Sequence, residues 1–299
     1  MQSTSNKALT PLIIMCLLIT YLVWGTTYFA ITVALREMPP LFMMGTRFIA
    51  AGLVLCGLMV MRRAPWPTLR QWRNCTLLGA LLLLGGMGCT AIAEQSISSG
   101  ATTVMIATMP IFALLWQIPS GLRPRIEELT AICLGTVGVL ILASGSEFTA
   151  NWHGTLALAF AICSWSLGTQ LSRHMDLPQG ATAFALEMLM GGVLLVAASA
   201  AIGESPRQMP TGAPLAAWLY LVVFGSLVAF SAYMYLAGQV STVLASSYVY
   251  ANPPIALTIG ALLGGEHIAW QTLFAVVLII AALGVLSWGS SRQRRLAAP

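Results

Sequence analysis

From Ala8 to Leu35 the chain carries no charged side chain. Such a run exceeds the roughly 20 apolar residues a helix needs to cross the ~30 Å hydrocarbon core of a bilayer. It is also longer than the apolar core of a cleaved leader, about 7–15 residues, so it reads as a membrane helix that is kept. The pattern then recurs. Between successive polar breaks lie ten apolar stretches, at about residues 10–35, 41–61, 70–92, 98–118, 127–145, 153–173, 178–202, 214–236, 243–264 and 269–289. None shows the strict alternation of a membrane β-strand, so the expected fold is an all-α polytopic membrane protein of ten transmembrane helices. Composition agrees, with 58% hydrophobic and 8% charged residues among 299, against about 25% charged in soluble domains.

The charges that remain are topology signals. With ten crossings, Lys7, Arg62, Arg63, Arg70, Arg73, Arg123, Arg125, Arg173, Arg292, Arg294 and Arg295 share the side of both termini, while Arg36 and Arg207 lie opposite. Basic residues concentrate on the cytoplasmic side, so both termini are expected there. The net charge of +5 is thereby spent along loops, and nucleic acid is not an expected partner. Lys7 is the only lysine, which argues against a phosphate-cradling P-loop. No two of the six cysteines form a C-x-x-C pair, and His153, His174 and His267 lack metal-ligand spacing. We expect no metal, no cofactor and no catalytic residue.

The second half of the sequence echoes the first. "WGTTYFAI" (24–31) aligns with "WSLGTQLS" (165–172), and "RFIAAGLVL" (47–55) with "EMLMGGVLL" (187–195). "ATTVMIATMPIFAL" (101–114) resembles "ASSYVYANPPIAL" (245–257). The order and spacing imply two five-helix repeats, residues 1–147 and 148–299. An odd number of crossings makes the second copy enter from the opposite side, so the repeats would be inverted. Many secondary transporters are built this way, with the substrate near the midplane between the copies.

These stretches, with "PPLFMMGTRFIAAG" (39–52), "TMPIFALL" (108–115), "GSLVAFSAYMYL" (225–236) and "NPPIALTIGALLGGE" (252–266), resemble the EamA-type drug/metabolite transporter superfamily over roughly residues 12–289. The resemblance implies an inverted-repeat permease of the bacterial inner membrane. It implies a central cavity that moves small metabolites, often outward: amino acids, purine-type metabolites, sugars or toxic compounds. The Gly-Glu pair ending the fourth helix of each half in that family is present as Gly265-Glu266. The first half reads "PSGLRPRIEEL" (119–129) instead.

Candidate substrate-cavity residues follow from the repeat. Trp24 and Tyr28 share a helix face at i, i+4 spacing, with Thr27 beside them, and Trp165 and Thr169 occupy the matching places. A pseudo-twofold would bring these faces together, although both tryptophans could serve only to pack helices. Pro110 and the Pro253-Pro254 pair predict helix breaks at related positions, beside Asn252 and Tyr248; a bend for packing alone is the plainer alternative. Gly260 and Gly264 have the spacing of close helix packing. Glu94 ends the third helix and reads first as a solvated end, second as an outer gate. Arg47 and its repeat partner Glu187 are charges inside membrane helices. Such charges usually face the bundle interior, pair with one another or mark a pathway. Mutual pairing, a substrate carboxylate on Arg47 and a coupling proton on Glu187 all remain open, as does an arginine that merely snorkels.

The expected function is secondary transport, by alternating access, of small organic metabolites such as amino acids or related compounds, in the outward direction. The partners are a small-molecule substrate and the lipid bilayer; proton coupling is open, and so is the choice between monomer and homodimer. The rival readings are a membrane-embedded enzyme and a channel or scaffold subunit.

Overall fold

The computed structural model describes residues 10–116, 126–145, 151–204, 210–240, 242–245 and 247–296. Lys7, Arg123, Arg125 and Arg207, which enter the charge reading, lie outside them. Among the described residues ten long helices follow one another, with one further turn of helix at Thr242–Ala245: α1 (Pro11–Ala34), α2 (Pro40–Met61), α3 (Leu69–Ala93), α4 (residues 99–115), α5 (Ile126–Ala143), α6 (Trp152–Ser172), α7 (Ala181–Ala201), α8 (residues 212–239), α9 (Tyr248–Gly264) and α10 (Trp270–Leu296). There is no strand among the described residues. Seven of the helices are long and apolar enough to cross a membrane: α1, α2, α3, α5, α6, α7 and α8. Large side chains such as Leu53, Leu140, Phe160, Leu262 and Val277 are more than half exposed on the outside of the bundle. That surface requires lipid.

Local chemistry sets the helix ends. Thr10 caps α1 by accepting from the Ile13 amide, and Pro11 follows at the first helical position, where its missing N–H costs nothing. Thr68 and Gln71 form a reciprocal capping box at the start of α3, which satisfies two orphan donors. Three acids cap other helices than their own. Glu204, after α7, accepts from the Leu41 and Phe42 amides of α2. Glu37, after α1, accepts from Thr211 ahead of α8 at 2.8 Å. Glu266, after α9, accepts from the amides of Ser99 and Gly100 and the Ser99 hydroxyl at the start of α4.

Much of the packing recurs between the two halves, although the contacts of α1 with α4 and of α2 with α3 have no such counterpart. α1 packs on α8 and α9; α6 packs on α3 and α4; α2 packs on α7 and α8, and α7 on α3. Replacing each helix by the one five places away turns this set of pairs into itself, and leaves α2–α7, α4–α9 and α5–α10 unchanged. The α2–α7 pair is the tightest point. A Cβ on Gly52 would sit 2.7 Å from the Leu189 nitrogen, and one on Gly192 2.7 Å from that of Ile49. Only glycine admits so close a backbone, as small-residue membrane packing requires.

Two helices depart from α geometry at related places. Residues Gly79–Gly88 of α3 and Leu221–Val228 of α8 are wound as π-helix, a form that often marks functional segments. α4 is broken as Pro110 predicts, into Ser99–Ile106 and Met109–Leu115 with a turn at Ala107 and Thr108. The expected break at Pro253-Pro254 is not there: both prolines lie inside α9. α9 starts only at Tyr248, so the prolines fall in its second turn, close to the end where a missing donor is best tolerated. Gly260 and Gly264 do not seat another helix backbone either. They make room for the Glu266 carboxylate and the Phe29 ring.

Candidate functional site

The aromatic side chains of the interior converge on Trp24 in α1. Its ring centroid lies 4.6 Å from Tyr248 of α9 and 5.4 Å and 6.4 Å from Tyr233 and Phe230 of α8. Phe184 of α7 extends the cluster, edge-on to Phe230 at 4.2 Å. All five rings are half-buried. Edge-to-face pairs of this kind contribute about 0.5–1.5 kcal/mol each beyond area burial. The indole N–H of Trp24 donates to the Gly225 carbonyl at 3.2 Å, inside the π-wound part of α8. Tyr21, one turn earlier, hydrogen-bonds Ser247 just ahead of α9. Asn252 of α9 is 5% exposed, and its Oδ1 has no hydrogen-bond partner.

Trp165 does not join this cluster. It packs on the π-wound part of α3, where a Cβ on Gly86 would approach its ring to 2.7 Å. Its neighbour Ser164 donates to the Leu81 carbonyl at 2.7 Å. In each half, then, the first helix sends a donor to a carbonyl of the other half's π-segment. The expectation that the two tryptophan faces meet was too simple, because each face is taken by the opposite π-segment. The hydroxyls of Thr27 and Thr169 are turned back on their own helices, donating to Trp24 and Trp165 carbonyls at 2.7 and 2.9 Å.

Arg47 is 3% exposed, so it does not snorkel. Its Nε donates to the Ser226 hydroxyl at 2.9 Å, and Nη1 points at the Met44 sulfur at 3.7 Å. The guanidinium carbon stands 4.9 Å from the Phe48 ring centroid, a cation–π contact. Among the described residues no carboxylate pairs with it. α2 and α7 run antiparallel with Gly45 against Val196 and Gly52 against Leu189. In that register Arg47 and Glu187 are about 10 Å apart along the axis at ~1.5 Å per residue. Glu187, 7% exposed, lies where α7 packs on α3: a Cβ on Gly79 would stand 3.0 Å from the Glu187 carbonyl. The structure thus buries both charges without joining them.

Glu94 is buried as well, at 4% exposure, and neither carboxylate oxygen has a hydrogen-bond partner among the described residues. The solvated helix end expected here is ruled out. Its charged neighbours are Glu266 and Arg47, with Tyr28 of α1 beside them. No three His, Cys, Asp or Glu side chains cluster as a metal site among the described residues. Ser226, Phe230, Tyr233 and Phe184 were not singled out from sequence; only the fold brings α7 and α8 against α1 and α2.

A helical bundle with an apolar exterior, buried charges and an aromatic centre has the build of a multi-pass membrane protein. Residues 11–144 and 152–288 each match the EamA-like transporter family, and the chain belongs to that family. It is 40% identical over 267 residues to the uncharacterized inner membrane transporter YedA of Escherichia coli K12, covering 87% of each chain. It is 27% identical over 279 residues to the protein PecM of Dickeya dadantii, covering 91% of each. With the S-adenosylmethionine/S-adenosylhomocysteine transporter of Chlamydia trachomatis it shares 26% over 313 residues, 98% of this chain and 94% of that one. A solved structure 19% identical in sequence superposes with a TM-score of 0.62 over 96% of this chain and 99% of its own. The protein is an inner-membrane transporter and not an enzyme.

Proposed function

We propose that the protein is a secondary carrier that exports small organic metabolites, amino acids or related compounds, by alternating access between two inverted five-helix halves with both termini in the cytoplasm. The observation that carries this reading is the ring cluster of Trp24, Phe230, Tyr233 and Tyr248, half-buried where α1 crosses α8 and α9. Rings in that setting bind the flat or apolar part of a solute by stacking and area burial. The unpartnered Asn252 amide oxygen offers a donor on the solute a place to bind. The pairing of α1 with α8 and α9, mirrored by α6 with α3 and α4, supports two halves that rock against each other. Relatives named for S-adenosylmethionine and S-adenosylhomocysteine add purine-bearing amino acids to the compounds worth testing.

The test is a thermal-shift screen of the purified protein against amino acids, nucleosides and aromatic compounds. A ligand at 100 times its Kd stabilises the folded state by about 2.7 kcal/mol. The stabilisation should vanish in Trp24→Ala and survive in part in Trp24→Phe, which keeps a ring but loses the bond to Gly225. Ligand shifts that are unchanged in Trp24→Ala would remove the cluster from the binding site.

A further inference from the structure

Among the described residues, four acids stand at the end of the bundle where the odd-numbered helices stop, and three of them are satisfied. Glu37, Glu204 and Glu266 each accept hydrogen bonds from backbone amides of another helix. Glu94 accepts none, although it is 4% exposed and both of its oxygens are sealed from solvent. An ionised carboxylate in that condition costs several kcal/mol, far more than the same group carrying a proton. Arg47 offers the obvious relief and does not supply it. Its side chain is turned to Ser226 and Met44, on the α8 side of α2. The neighbouring Glu266 carboxylate, fixed by the start of α4, further disfavours a second negative charge.

We propose that Glu94 is a proton-binding site of this carrier. In the conformation described it holds a proton; when its end of the bundle opens, the O–H bond breaks, the proton passes to water, and the carboxylate pairs with Arg47. The ionisable groups whose charge acts on it are Tyr28 from α1, Arg47 from α2 and Glu266 from the α9–α10 turn. His153 at the start of α6 is exposed and lies against the Trp152 ring. Protonation would then bias which face of the carrier is open, since binding that favours one state shifts the equilibrium by its differential affinity. The proposal leans on the carrier reading only for that last consequence. The proton itself is measurable whether or not any solute moves.

The experiment is an infrared pH titration of the full-length protein in lipid, in light and heavy water. At neutral pH the wild type should show the C=O stretch of a protonated carboxyl. That band should move on deuteration, disappear as alkali is added, be missing in Glu94→Gln and remain in Glu187→Gln. In Arg47→Gln the same band should persist to higher pH, because the cation that favours the carboxylate is gone. Glu94→Asp, which keeps a carboxyl, should shift the frequency and covers the case in which the Gln variant does not fold. Wild-type and Glu94→Gln spectra that coincide at neutral pH would overturn the proposal, as would a frequency unmoved in Glu94→Asp.

Discussion

Ser226 decides how Arg47 is held. It is 1% exposed and receives the Arg47 Nε proton at 2.9 Å. Hydrogen bonds to charged groups contribute about 1.5–3 kcal/mol, and a buried donor left alone costs its full desolvation. Ser226→Ala should therefore lower the melting temperature of the detergent-solubilised protein. An unchanged melting temperature would mean that the guanidinium finds another acceptor. The sequence placed Arg47 inside an apolar run but left burial and snorkelling both open. Its partner was not legible. Ser226 is 179 positions away on another helix, and Glu187, the partner the repeat nominates, is offset along the α2–α7 contact. Glu94 failed for a related reason. A charge at the end of an apolar stretch shows where the helix stops but not that the fold buries it to 4% exposure.

Helix ends explain how these elements are locked together. Glu266 can turn back on α4 because Gly265 closes α9 with a left-handed backbone, φ 63°, which glycine adopts without strain. The carboxylate then fills the positive end of α4, accepting from the Ser99 amide at 3.1 Å and the Ser99 hydroxyl at 2.8 Å. Negative groups at a helix N-terminus are favoured by its dipole and its unpaired amides. Glu266→Ala should leave the helix count intact while exposing these amides. Their hydrogen exchange should quicken roughly 10- to 100-fold, taking about 1.5–3 kcal/mol of lost support at ~1.4 kcal/mol per tenfold. Exchange at Ser99 and Gly100 no faster than in the wild type would show that the cap is dispensable. The Gly-Glu pair could be read from sequence as a family feature, yet its physical role needed the α4–α9 contact. The broken α4 was readable from Pro110; the continuous α9 was not, because proline is tolerated near a helix start and the position of that start depends on packing.

At the scale of the molecule, the repeated words of the sequence correspond to repeated contacts. The tryptophan-led first helix of each half lies on the other half's third and fourth helices, and the π-wound stretches occupy matching places. Aligning the halves related the two first helices but gave neither their packing partners nor the π-winding. Two further things were not legible: the separation of Trp24 from Trp165, and the recruitment of Phe230 and Tyr233 from a helix the alignment left unremarked. Both depend on helix rotation, which an apolar stretch surrounded by lipid and protein leaves undetermined by pattern alone.

A carrier must open its two faces in turn, and paired spin labels read this directly. With the native cysteines replaced, one pair, Arg36→Cys with His267→Cys, reports the face of the capping acids. The other, Arg62→Cys with His174→Cys, reports the opposite face; all four positions are exposed. Electron–electron double resonance, recorded across a pH series and with any ligand found by thermal shift, should give two populations at each pair. The distance at one face should lengthen as the distance at the other shortens. Distributions that stay fixed at both faces, or widen together, would contradict alternating access and leave a channel or scaffold in its place.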